Sequence, residues 1–147
     1  MAVEPYDEQE IHGADTIIRR VPDQQIVWDD NRGRHRVSSG LFEKSSDPRG
    51  GMSVDIEALM LKDAIDPTEY VTTPVFRGAV SMSAESIRAL DLMIGYEPIA
   101  DEPGIDDNPY HGEVWRKEEA RKFTGAQRKG LRDAAEWYVE LVDVDLK

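Results

Sequence analysis

The sequence predicts an α+β fold: a single domain with a small, mostly antiparallel or mixed sheet, two short helices and a C-terminal amphipathic helix. Three observations carry this. Short runs rich in β-branched and aromatic residues are separated by turn signals, as at residues 16–21 and 25–28. Two short stretches with helical spacing of apolar residues each follow a serine able to cap them. A longer stretch follows Thr124, with Gln127 three residues on, which is the spacing of a capping box. The 147 residues suit one domain, and there is no internal repeat and no heptad run.

Residues 1–15 carry Glu4, Asp7, Glu8, Glu10 and Asp15 and no Lys or Arg, which reads as an acidic N-terminal tail, frayed or extended, with His12 solvated in it. The domain proper is then residues 16–147. Residues 16–21 form a strand stopped by Pro22, and residues 25–28 a second. The turn signal at 29–33 sends Arg34 to Val37 back as a hairpin partner. Ser38-Ser39-Gly40 turns the chain, Leu41 and Phe42 anchor it, and residues 45–51 are a loop by composition. Ser53 is placed as a helix N-cap, with Asp55 and Glu57 in the first turn and Ile56, Leu59, Met60 and Ala64 on one face, ending at Asp66-Pro67. Residues 75–80 read as a strand that Pro74 puts after a break or near a sheet edge. Ser83 caps a second helix, with Ile87 and Leu90 inward and Gly95 at its C-terminal end. Residues 96–100 and 110–116 are strands joined by the acidic loop 101–108. The last helix continues through Leu131, Ala134, Ala135, Tyr138, Leu141 and Val142 and packs on the sheet.

Thirty acidic against eighteen basic residues give a net charge of -12, which argues against nonspecific binding to nucleic acid, where affinity rests on neutralising phosphates. The acidity fits solubility, a high-salt source or a face that meets a basic partner. No apolar run approaches the roughly 20 residues of a membrane span. The first residues are acidic where a signal peptide is basic and then apolar. With no cysteine there is no disulfide, in keeping with a cytoplasmic location.

Against that charge, residues 31–54 gather Arg32, Arg34, Arg36, Lys44 and Arg49 with serines and glycines. Guanidinium forks bind phosphate or carboxylate, and serine hydroxyls and amides near glycine complete an anion site. On a strand, Arg34 and Arg36 share a face. These two, with Ser38, Ser39 and the more distant Arg20, are the candidate ligand-binding residues. The competing reading is a solvated basic turn paired with nearby Asp29, Asp30, Glu43 and Asp47. His111 and Glu113, two apart on a strand, share a face beside Gly112 and are the candidates for acid–base chemistry. A cross-strand hydrogen-bonded pair competes with that role. No nucleophile elbow and no glycine-rich phosphate loop is present. His12, His35 and His111 lack metal-ligand spacing, and the 101–107 acids do not follow the calcium-loop pattern, so neither metal nor cofactor is expected.

The elements Arg19-Arg20, Arg36-Val37-Ser38-Ser39-Gly40-Leu41-Phe42, Met52-Ser53-Val54 and Asn108-Pro109-Tyr110-His111, in that order, resemble a family of small uncharacterised bacterial proteins. Its members carry an R-x-S-S-x-F element, then M-S-V and a late N-P-x-H-x-x-V element before a closing helix. The resemblance spans about residues 16–140 and implies no activity. In order alone, Arg19 or Arg20, Ser38 or Ser39 and Glu113 are similar to the Arg, Ser and Glu of ADP-ribosyltransferases. The carboxylate two residues before the Glu is replaced here by His111.

Three functions follow as expectations. The first is an accessory or regulatory module binding an anionic small molecule or a protein partner through Arg34, Arg36, Ser38, Ser39 and His111. The second is a small enzyme on a nucleotide-like substrate, with His111 or Glu113 handling the proton. The third is an acidic inhibitor or antitoxin-like protein. The first two should place the Arg/Ser stretch and His111 within one pocket, and the third should scatter them.

Overall fold

The computed structural model describes residues 3–45, 48–72, 76–117 and 122–147. In chain order the elements are β1 (Thr16–Pro22), β2 (Ile26–Asp29), β3 (Arg34–Val37), β4 (Met52–Ile56), α1 (Glu57–Lys62), α2 (Pro67–Tyr70), β5 (Phe76–Ser83), α3 (Ala84–Arg88), β6 (Leu92–Tyr96), β7 (His111–Arg116), α4 (Gly125–Ala134), β8 (Glu136–Val139) and β9 (Val144–Asp145). The main sheet runs β6-β7-β4-β1-β5-β8 with every neighbour antiparallel, and β2-β3-β9 form a small mixed sheet. The fold is α+β, as the sequence predicts.

Strand alternation divides the main sheet into two unlike faces. Ile17 and Val21 of β1, Met52, Val54 and Ile56 of β4, Val80 and Met82 of β5 and Val114 of β7 enter the main core with Leu41, Phe42 and Leu131. The intervening positions are Ile18 and Arg20, Ser53 and Asp55, and His111 and Glu113. The register sets Ile18 against Asp55, Asp55 against His111 and Ser53 against Glu113, so these residues share the opposite face. That face has a smaller apolar cluster of Ile18, Met60, Val71, Ala79 and Tyr110. Beside it lies a polar stripe. β1 and β4 pair over only two positions, Ile17–Ile56 and Ile18–Asp55, whereas β1 follows β5 along its whole length. The two strands therefore part beyond Ile18. Arg19 bridges the gap, donating to Ser53 O at 2.8 Å, Leu41 O at 3.1 Å and Ser45 Oγ at 3.1 Å.

The hairpin of β2 and β3, the Leu41/Phe42 anchor and the Thr124–Gln127 capping box form as expected. Several expected elements differ, and where a strand replaces an expected helix, sheet pairing overrides a local signal. Ser53 caps no helix: residues 52–56 alternate with period two and pair with both β1 and β7, and the helix starts at Glu57. Ala64 is exposed with φ 59 instead of facing the core. α3 keeps its Ser83 cap but stops at Arg88, and Asp91 takes the left-handed turn (φ 61). Gly95 thus falls inside β6, where an added Cβ would sit 2.6 Å from the Trp115 ring and 2.7 Å from the Tyr6 ring. The partner of β7 is accordingly 92–96, not 96–100, although Ile99 bridges Asn108.

The last helix ends at Ala134. Residues 136–139 then pair with β5 as β8, which makes β5 an interior strand and not an edge. Pro74 and Val75, like Ser46 and Asp47, lie outside the described residues. The acidic segment, expected to be frayed or extended, is held against the body: Glu8 N donates to Ile94 O at 2.7 Å, Asp7 pairs with Arg88 at 3.0 Å, Ile11 is buried and Tyr6 packs on Trp115. His12 is exposed.

Candidate functional site

Four polar or charged residues, Arg49, Asp55, His111 and Glu113, are buried among the described residues. All four gather on the polar face of the sheet. Arg49, Asp55 and His111 line a cleft of about 600 Å³ together with Arg19, Arg20, Ser53, Tyr70, Phe76 and Asn108, closed on one side by residues 104–107. The volume is that of a small-molecule site.

β1 supplies Arg20, whose Nε and Nη2 donate to Asp55 at 2.8 and 3.3 Å. Its guanidinium carbon lies 5.5 Å from the Tyr70 ring centroid and 5.4 Å from that of Phe76, near enough for cation–π attraction to both. Asn108 donates its amide to Asp55 at 2.7 Å and accepts from the Tyr70 hydroxyl at 3.1 Å. Burial raises the Tyr70 hydroxyl above its ordinary value; Asp55 adds to the shift and Arg20 opposes it, so the phenol stays a neutral donor. A guanidinium has five N–H groups. Asp55 takes two, and the other three have no hydrogen-bond partner among the described residues. Arg20 is thus fixed along one edge and offers the other, with 22% of its side chain exposed.

β7 supplies His111 and Glu113. His111 Nδ1 lies 2.7 Å from the Glu97 carbonyl oxygen, which can only accept, so Nδ1 carries a proton. Nε2 is 3.1 Å from Glu113 Oε2. Glu113, wholly buried, also accepts from Gly51 N at 2.9 Å and Ser53 Oγ at 3.2 Å. The imidazole edge and the buried carboxylate therefore face each other at the base of the cleft. Gly51 is required there: an added Cβ would lie 2.6 Å from Val114 O and 3.0 Å from Glu113 Oε1. Arg49 pairs with Glu102 from the acidic loop, with Glu97 at 3.9 Å.

Of the residues singled out in the sequence, Arg20 and His111 line this cleft and Glu113 stands behind it. Arg34, Arg36, Ser38 and Ser39 do not. Arg34 bonds Asp145 and Arg36 bonds Asp29, both at 3.0 Å, on the small sheet. Ser38 accepts from Gly40 N as the cap of a short 3-10 turn (Ser39–Phe42), and Ser39 is exposed. The Arg/Ser stretch and His111 thus occupy separate places, so the pocket expected from Arg34, Arg36, Ser38 and Ser39 is not formed, and of the expected ligand-binding residues Arg20 alone joins His111 in the cleft. Reading the sequence for charge missed Asp55, Asn108, Ser53, Arg49 and Arg19 as partners. The signal for Ser53 and Asp55 was the alternation of residues 52–56, polar at every second position.

No group of three or more His, Cys, Asp or Glu side chains among the described residues is placed to hold a metal ion. No helix among them is long and apolar enough to cross a membrane. Compared with protein-family models, curated proteins and solved structures, the chain matches none.

Proposed function

We propose that the protein is a small-molecule-binding module whose cleft takes an anionic group, phosphate or carboxylate. The observation that carries this reading is Arg20. Its guanidinium is held by Asp55 and flanked by two rings, and three of its N–H groups remain for a ligand, in a chain of net charge -12. A preorganised arginine fork forfeits little entropy on binding an anion. Ser53, Asn108 and His111 supply polar groups at the floor, and Ile99, Phe76 and Tyr70 supply apolar wall.

The test is a thermal-shift and calorimetric screen of inorganic phosphate, nucleotides and dicarboxylates against wild type and Arg20→Lys. Lysine keeps a charge beside Asp55 but lacks the fork, so the expected result is a bound anion whose affinity falls about tenfold or more in the variant with the fold retained. Unchanged affinity refutes the reading.

A second reading draws on the His111–Glu113 pair: an enzyme acting on a nucleotide-like substrate, with His111 handling the proton. Turnover of a bound nucleotide that is lost in His111→Gln separates it from the first.

A further inference from the structure

The acidic loop between β6 and β7 bears on what the cleft binds. Its neck is closed by reciprocal backbone hydrogen bonds between Ile99 and Asn108, at 2.9 and 2.8 Å. Beyond the neck, residues 100–107 are tied mainly to themselves: Asp101 N donates to Asp107 Oδ1 at 3.0 Å and Ile105 N to Glu102 O at 3.3 Å. Arg49 Nη2 donates to Glu102 and ties this tip to the body, while Glu97, outside the tip, lies 3.9 Å from Nε of the same guanidinium. Arg49 itself is fixed. Its side chain is 9% exposed, and its carbonyl accepts from Trp115 Nε1 at 3.0 Å and Val3 N at 3.3 Å. The tip lies over the cleft and contributes Gly104, Ile105, Asp106 and Asp107 to its wall.

We propose that Glu102 is a built-in placeholder for the ligand's anion on Arg49, and that the ligand is a phosphate-bearing molecule whose binding releases the 100–107 loop. The inference rests on the anion-binding reading of the cleft, whose lining holds both Arg20 and Arg49, and adds Arg49 as a second contact for the anion, the ligand class and its coupling to the loop. Glu102 and the incoming anion compete for Arg49. Glu102 is tethered by a short loop, so its carboxylate faces Arg49 at an effective concentration in the millimolar range. A free monocarboxylate exchanges like for like and loses to it at lower concentration. A phosphate monoester brings a charge of about -1.5 to -2 and three acceptor oxygens to the same fork. Asp106 and Asp107 on the loop repel an incoming anion while the loop is down, so loop release and anion binding favour one another. The apparent affinity is reduced by the fraction of molecules whose latch is open.

The experiment uses the full chain in four arms, inorganic phosphate, adenosine monophosphate, adenosine and acetate. Affinity is read by calorimetry, and backbone ¹⁵N relaxation is read at Gly104 and Ile105. The variants are Glu102→Gln, which opens the latch, and Asp106→Asn, which removes an equal charge from the wall without touching Arg49. Phosphate or the monophosphate is expected to loosen Gly104 and Ile105 in wild type. In Glu102→Gln the loop is loose without ligand and affinity rises about tenfold, the ratio for a latch open in about one molecule in ten. In Asp106→Asn the loop stays ordered and affinity rises less. Binding of monophosphate without binding of phosphate identifies an ester as the source. Equal gains in the two variants, an ordered loop in Glu102→Gln, or acetate binding as tightly as phosphate overturns the inference and leaves the anion site standing. Absence of binding by phosphate and monophosphate in every chain overturns both.

Discussion

Removing the Arg20 side chain tests the centre of the cleft. Asp55, 4% exposed at its side chain, accepts two hydrogen bonds from Arg20 and one from Asn108. Arg20→Ala leaves that carboxylate with the Asn108 amide and no cation. Breaking a buried ion pair by deleting one partner costs about 3–5 kcal/mol. The guanidinium's contact with Tyr70 and Phe76 adds about 0.5–1 kcal/mol per ring. Arg20 retains 22% exposure, so water enters the vacated space and offsets part of this. The expected loss is about 3 kcal/mol, the low end of the range. Urea unfolding followed by circular dichroism measures it, since a single domain of this size suits two-state analysis. The double variant Arg20→Met/Asp55→Asn removes the stranded charge along with its partner and should recover at least half of the loss. A loss below about 1 kcal/mol for Arg20→Ala, or strict additivity of the single changes, would show an ordinary solvent-screened pair and refute the reasoning.

Glu43 accepts from Lys44 N and Phe123 N, both at 2.8 Å, and from Arg128 at 3.0 Å. Burial pushes its carboxyl up, but those donors outweigh it and hold it below its ordinary value of 4.5. A carboxyl depressed in the folded state stabilises above its unfolded pKa and loses that contribution as pH falls through the folded one. Glu43→Gln should therefore lower the melting temperature at pH 7 by about 4 °C, with the difference from wild type shrinking below pH 4.5. Gly95→Ala forces a Cβ to within 2.6 Å of the fully buried Trp115 ring, and should cost about 1–3 kcal/mol and alter the near-ultraviolet dichroism of Trp115 and Tyr6. Arg34→Ala and Arg36→Ala touch only exposed or partly exposed ion pairs of the small sheet, so each should change stability by less than about 1 kcal/mol and leave anion affinity in the cleft unaltered.

What the sequence revealed was local. The Thr124–Gln127 box, the Ser83 cap, the 29–33 turn and the Asp66-Pro67 break each depend on neighbours within four residues, and all appear in the fold. What it concealed depended on distant strands. Met52 to Ile56 has an adequate helix start, but β1 and β7 offer backbone partners on both sides, and pairing in the middle of a sheet outweighs one cap. Residues 136–139 continue a helical spacing, yet the open edge of β5 takes them as a strand. The same limit governs the site. Arg34 and Arg36 stand out because they cluster in sequence, but Arg36 meets Asp29 of its own hairpin and Arg34 meets Asp145, which β9 brings beside β3. The residues that do converge, Arg20, Asp55, Asn108 and His111, come from β1, β4, β7 and the loop before β7. Only the strand register unites them.

That convergence is hard to explain as stabilisation. A buried ion pair is often no more stable than well-packed apolar residues of the same volume, because desolvating two charges offsets their attraction. Asp55 faces Ile18 across the strand pair, and the smaller apolar cluster of Ile18, Met60, Ala79 and Tyr110 occupies the same side of the sheet. Leucine or methionine at 55 and 113 would extend that cluster without burying a carboxylate. The chain instead buries an aspartate, a glutamate, a histidine and an arginine on one face, gives them Asn108, Ser53, Gly51 N, Glu97 O and Glu102 as partners, and leaves the edge of a second arginine, Arg20, facing a cleft. Groups held at such cost are expected where charge must be presented to a ligand, since preorganisation before binding spares the reorganisation that a flexible surface arginine would incur. The opening between β1 and β4 fits this view. A sheet paired along its full length would have no cleft there, and Arg19 closes the gap from the core side while the polar face stays open.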